Sequence, residues 1–600
     1  HCLDDPGRRR WAELSEHVAF REEMDLNIRL MIAALAALAN VACATAEAPS
    51  SAAGDYLSGR LAAGLNDIDA AADHYAAAVV ENPSDLAIVR NAFIFNLAAG
   101  RIEAAAPYAE ILAASEDDGG LEEFVLAAIK IKRGDLVGAR GDLKRDFSES
   151  FTKSIAFDTS AWIEAELAGP AAGVAAFDLG KEVFTGFNPT FKAMLLEEEG
   201  DIDAARANHQ ISVASFGGPI GRAAFGAFLE RNGTPDEARE YYSLLAQDGG
   251  SARRLAEAAL KRIDRGAPSM DYRDVSAAEG AALALYLFAG NVLQQSAEEM
   301  RRAAEAGFKV RDRPFNLPLA LTQLSLYLDP DLADAQSLIG SIHNIYGNYP
   351  AARDALAKIA PSAPQFEQAQ IEIANSLAAE NRPNDAIAVL KSAVRRDRRA
   401  NDAFLTLAGI YANEGRHEEA IAAASRAIEA LPDPAPEDAW RHFITRAASL
   451  IELDRFGDAE KDLKRAVELA PEEPIALNYL GYSWVERGVN LDEAFRLIEK
   501  AVALRPQSGA IIDSLGWAHY QLGDFEKALP HLERAASLEP GDPTVTDHLG
   551  DVYWRLGRET EARYQWKRAL ELEPSDLVRT SIEEKLKSGL SDWKSLPEEQ

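Results

Sequence analysis

The chain has 600 residues, 47% of them hydrophobic and 26% charged, a balance that suits a folded polypeptide. Its 63 basic side chains stand against 96 acidic ones, and the resulting net charge of −33 opposes contact with nucleic acid and anionic lipid headgroups. With only two cysteines, Cys2 and Cys43, a disulfide framework is excluded.

Residues 1–23 are polar and lack an initiator Met, and they read as a non-native upstream extension. From Met24 to Ala46 the chain has the layout of an export signal: a short start with Arg29, an apolar stretch from Leu30 to Ala42, then small residues. The apolar stretch is too short to remain as a membrane span. Cys43 follows it directly and is the candidate lipid acceptor, although Asn40 stands where lipoprotein signals usually have Leu. Ordinary cleavage after Ala42-Cys43-Ala44 or Ala44-Thr45-Ala46 is the alternative.

Residues 47–265 carry a faint repeat. Gly59, Ala71, Tyr75, Ala78 and Pro83 form one copy, Ala105 lies 34 residues after Ala71, and Ala139 lies 34 after that. Ala193 with Ala205 and Gly226 with Ala238 mark two more. Residues 266–330 form a divergent helical middle region, whose apolar run AALALYLFAGNVL at 281–293 predicts a buried helix.

Residues 331–586 carry the clear array, followed by a tail at 587–600. Gly516, Ala528, Leu532, Ala535 and Pro540 recur as Gly550, Ala562, Trp566, Ala569 and Pro574, an offset of 34. Ala494, Ala459, Ala420 and Ala386 continue the register upstream. Small residues let two helices approach closely, and Pro432, Pro471, Pro506, Pro540 and Pro574 follow second helices, where a residue without an N–H stops the helix. These recurring positions resemble the tetratricopeptide repeat family. The expected fold class is therefore all-α, an α/α superhelical solenoid of about twelve or more helical hairpins, with under about a tenth of residues in strands.

Catalytic motifs are missing: the chain has no Gly-rich phosphate loop, zinc-binding His-Glu-x-x-His or Gly-x-Ser-x-Gly elbow. His519, His531 and His548 are read as packed or exposed repeat residues rather than metal ligands, and Glu197, Glu198 and Glu199 as a solvated helix face. No cofactor, metal or enzymatic activity is expected.

Binding is what remains. In the family resembled, particular first-helix positions line a concave groove, which implies a partner site of Asn478, Tyr482, Asp513, Trp517, Tyr520, Asp547, Asp551 and Trp554. Aromatic area beside directional acceptors suits protein or peptide partners, the acids favouring neutral or cationic ones. The tail repeats also resemble long exported proteins of Gram-negative bacteria, among them outer-membrane lipoprotein adaptors of carboxyl-terminal processing proteases. That resemblance implies a non-catalytic envelope adaptor delivering substrates to a periplasmic protease. A scaffold for polysaccharide export or envelope assembly and a repeat-bearing enzyme are the alternatives.

Overall fold

A computed structural model describes residues 51–591 except 116–119, 144–149, 180–186, 216–217, 249, 268, 270–274, 306–315 and 432–434. The expected export signal, Cys43 and most of the tail lie outside the described residues. Among those described, every regular element is helical: 30 α-helices and two short 3₁₀ segments. Six hairpins run from Ala52–Gly64 paired with Ile68–Glu81 to Pro219–Asn232 paired with Pro235–Leu245, and Gly250–Asp264 follows. Seven more run from Ala333–Tyr346 paired with Tyr349–Leu356 to Pro543–Arg555 paired with Glu559–Glu571, closed by Asp576–Ser588. The fourth of the N-terminal hairpins pairs Ser150–Ala168 with Pro170–Leu179.

The repeated small residues have a direct steric cause. A Cβ on Gly516 would lie 2.7 Å from Leu532, and one on Gly550 would lie 2.5 Å from Trp566, so in both repeats glycine makes room for the large residue 16 positions later. Ala528, Ala535, Ala562 and Ala569 are fully buried where the paired helices meet. Gly557 turns between the last two repeat helices with φ of 74°, a left-handed conformation that glycine adopts without strain. Asp542 then opens Pro543–Arg555 by accepting from the Thr544 and Val545 amides.

The middle region does not continue the stack. Ala277–Glu305 and Asn316–Leu328 form a hairpin, joined by the Ser325 hydroxyl donating to the Ala282 carbonyl at 2.7 Å, that packs back against the first helices of the N-terminal array. Gly280 lies against Trp162, Phe288 meets Phe187 edge-to-face at 5.8 Å, and Lys132 donates to the Leu328 carbonyl at 3.0 Å. Phe95, Phe124, Trp162, Leu285 and Leu321 share one core. The apolar run at 281–293 is thus a buried helix, and it fills the N-terminal groove. Glu197 corrects the solvated-face reading: only 6% exposed, it receives a bidentate grip from Arg231 at 2.7 Å, while Glu198 and Glu199 are exposed. Glu197 faces the next repeat, whose Arg231 supplies the guanidinium partner that a buried carboxylate needs.

Gly250–Asp264 also reaches the second array. Arg253 grips Asp438 at 2.6 and 2.9 Å, and Lys261 meets Asp397 at 2.9 Å.

Candidate partner-binding groove

Pro474–Arg487, Gly509–Gln521 and Pro543–Arg555 are successive first helices lying side by side. At their centre the Trp517 ring stacks with Tyr520, at 4.5 Å and 8°, and with His548, at 3.8 Å and 15°. Its indole N–H donates to Glu486 at 2.7 Å, which ties two repeats together. His548 is oriented in turn by Asp513, 2.9 Å from its Nδ1. Asn478, Tyr482 and Trp517 remain half-buried, keeping part of their surface open. Burial, then the charges of Glu486 and Asp513, push the Tyr482 phenol above its ordinary range, so it stays a hydrogen-bond donor.

The other expected residues are tied within the chain. Asp547 and Asp551, both buried, accept from Lys585 of Asp576–Ser588 at 2.7 and 2.9 Å, and the Trp566 indole donates to Asp551 at 2.9 Å. Lys585 therefore takes the place expected for a cationic partner group. Burial raises the Asp551 carboxyl to about 6, with Lys585 opposing the rise. Tyr520 is only 5% exposed and accepts from Arg555 at 3.2 Å, so its main contact is the face of Trp517. Trp554 packs on Trp566 at 5.4 Å, under Arg563 and against Gly589, at the end of the array.

Sequence reasoning missed Glu486 and Lys585 and did not pair His548 with Asp513. The available signal was spacing: His548 lies 35 residues after Asp513 and Lys585 lies 34 after Asp551, one repeat step each. His519 and His531 stack at 5.6 Å, away from the Asp513–His548 pair. Among the described residues no group of three or more His, Cys, Asp or Glu is placed to hold a metal.

His548 gives this site a pH signature. Burial alone would lower its pKa, but the charge and hydrogen bond of Asp513, backed by Asp547 and Asp551, outweigh burial and raise it. A histidine raised on folding stabilises most below its unfolded pKa of about 6.5, and that contribution disappears as pH rises through the folded value. Between about pH 6 and 9 the wild type should lose more stability than His548→Gln in denaturant titrations followed by tryptophan fluorescence. Parallel loss in both proteins would remove the histidine from the account.

Residues 371–435, 444–509 and 514–576 match the family model described as tetratricopeptide repeat. Over 125 residues the chain is 30% identical to a TPR repeat-containing protein of Pseudomonas aeruginosa, covering 21% of this chain and 20% of the relative. Over 153 residues it is 29% identical to the protein O-mannosyl-transferase Tmtc1 of Drosophila melanogaster, covering 24% of this chain and 17% of that one. The chain thus spans about a fifth of the length of these curated relatives. Among solved structures, the hetero-tetramer Cut9-Hcn1 of APC/C aligns at 17% identity and a TM-score of 0.38, covering 85% of this chain and 97% of that one. Over the three matched stretches the chain is built of tetratricopeptide repeats, a fold that generally binds protein partners.

Proposed function

We propose that the chain is a non-catalytic scaffold or adaptor of the bacterial cell envelope that captures a protein partner in the concave face of its C-terminal array. The observation that carries this reading is Trp517, an aromatic plate braced by stacking on Tyr520 and His548 and still partly open. Rigid aromatic area of this kind is what binding hot spots use, since little rotamer entropy is left to lose. The N-terminal groove supports the same assignment by exclusion, because the chain's own helices Ala277–Glu305 and Asn316–Leu328 lie in it. Asn478 and Tyr482 extend the open surface. Asp513, Asp547 and Asp551, with Tyr520 and Trp554, set its shape through internal contacts. The signal layout of Met24–Ala46 and the position of Cys43 support export to the periplasm and a lipid tether to the outer membrane. Delivery of substrates to a periplasmic protease follows from the resemblance of the tail repeats.

Expression from Met24 in a Gram-negative host, with a photo-crosslinking residue at position 482, tests both parts. A discrete crosslinked partner is expected from position 482 and not from the exposed Tyr564 on a second helix. The protein should fractionate with membranes, and Cys43→Ala should release nearly all of it, because a multiply acylated anchor is lost as a whole. A soluble product beginning at Thr45 or Glu47 would establish ordinary cleavage, and equal crosslinking from both positions would remove the groove from the proposal.

A further inference from the structure

Two stretches stand out against the acidic composition: SARRLAEAALKRIDRG at 251–266 and KSAVRRDRRA at 391–400, each with five basic side chains. Over a hundred residues apart in sequence, they form opposite walls of one cleft of about 590 Å³ where the two arrays meet. The ion pairs of Lys261 with Asp397 at 2.9 Å and Arg254 with Asp402 at 3.8 Å hold the walls at fixed separation. Phe366, Pro361 and Pro364 supply apolar lining.

The charges in the cleft do not cancel. Arg253, Arg254, Lys261 and Arg262 are matched by Asp438, Asp402, Asp397 and Glu230. Arg265 and Arg396 also line the cleft and are exposed, and among the described residues neither has a carboxylate within ion-pair distance. Arg396 is pre-positioned over the Phe366 ring at 5.5 Å and donates to the Pro361 carbonyl at 3.4 Å. Two acids in the lining lack a cationic mate, Glu257 and Glu367. Burial raises both, and with Asp402 nearby it takes Glu367 to about 7, so these two repel an anion less than ordinary carboxylates would. One Glu367 oxygen is buried without a hydrogen-bond partner.

We propose that this cleft is a second docking site, of opposite electrostatic character to the Trp517 groove, that takes a short acidic segment of a protein partner through Arg265 and Arg396. Guanidinium groups match carboxylates bidentately, and the volume is that of an ordinary ligand cleft. A single extended chain can enter between two walls, whereas a flat bilayer cannot. A nucleic acid would meet the field of a chain with net charge −33 before it reached the basic lining.

The probe is a fluorescein-labelled hexaglutamate peptide, with hexaglutamine as its neutral counterpart, titrated into the full chain by fluorescence polarisation. The glutamate peptide should bind, the glutamine peptide should not, and binding should weaken as salt is raised. Arg265→Glu combined with Arg396→Glu should reduce affinity about tenfold or more, since charge-assisted contacts are lost and repulsion is added. Arg265→Gln, a mild change at an exposed site, should reduce it less and serves if the double variant fails to fold. Arg496→Glu, on a second helix of the C-terminal array, should leave it unchanged. Equal binding of both peptides, indifference to the Arg265 and Arg396 changes, or uptake of phosphatidylglycerol vesicles in place of the peptide would overturn the proposal. Because Trp517 is not in this cleft, Trp517→Ala should leave peptide binding intact, which separates failure of this site from failure of the groove.

Discussion

Trp517→Ala should weaken capture of the partner crosslinked from position 482 about thirtyfold while leaving the helical content unchanged, because truncating a buried anchor aromatic typically costs about 2 kcal/mol. The structure makes this a test of binding and not of folding. Trp517 is half-buried, and its two stacking neighbours are each held independently, His548 by Asp513 and Tyr520 by Arg555. Removing the indole leaves those supports standing and releases Glu486, an exposed carboxylate that water can solvate. Tyr520→Ala gives the contrast: at 5% exposure that ring is core, so its loss should lower stability as well as affinity. Affinity measured by titration, with circular dichroism on the same samples, decides the matter. Unfolding of the last repeats in Trp517→Ala would make the residue structural, and normal binding by a folded variant would move the partner elsewhere.

The repeats were legible because their cause is local. Gly516 and Gly550 mark where a large residue 16 positions later must fit, and Pro471, Pro506 and Pro540 mark where a second helix has ended and the next pair begins. Nothing comparable announces the return of the helices Ala277–Glu305 and Asn316–Leu328 into the N-terminal groove. The run at 281–293 declares a buried helix, but the surfaces that bury it, around Trp162 and Phe187, lie far upstream in the sequence and follow no common period. The junction salt bridges, such as Arg253 with Asp438, are equally silent in sequence. At the candidate site, the positional rule brought Trp517 and Tyr482 to the groove. It could not tell open positions from closed ones at the end of the array. Trp554 occupies the place that Tyr520 holds one repeat earlier, 34 residues on. Trp554 is covered by Trp566 and the end of the closing helix.

Replacing Lys585 should carry a large stability effect. Its ammonium bridges Asp547 and Asp551, all three side chains being at most 14% exposed, and replacing it by Met would leave two carboxylates without a cation. Breaking a buried ion pair from one side costs about 3–5 kcal/mol, well beyond what an exposed pair contributes. In a solenoid each repeat contacts only its neighbours, so the loss should be local. Hydrogen exchange in Lys585→Met should accelerate across Pro543–Arg555, Glu559–Glu571 and Asp576–Ser588, with residues 366–469 unaffected. Adding Asp547→Asn and Asp551→Asn removes the stranded charge and should restore much of the protection, since an amide oxygen at position 551 can still accept from the Trp566 indole. Ile582, fully buried beside Val578 and Leu586, supplies the apolar part of the same contact. If Lys585→Met left exchange unchanged, that apolar packing alone would be holding the closing helix, and the two aspartates would be free to meet a partner's cation as the sequence had suggested.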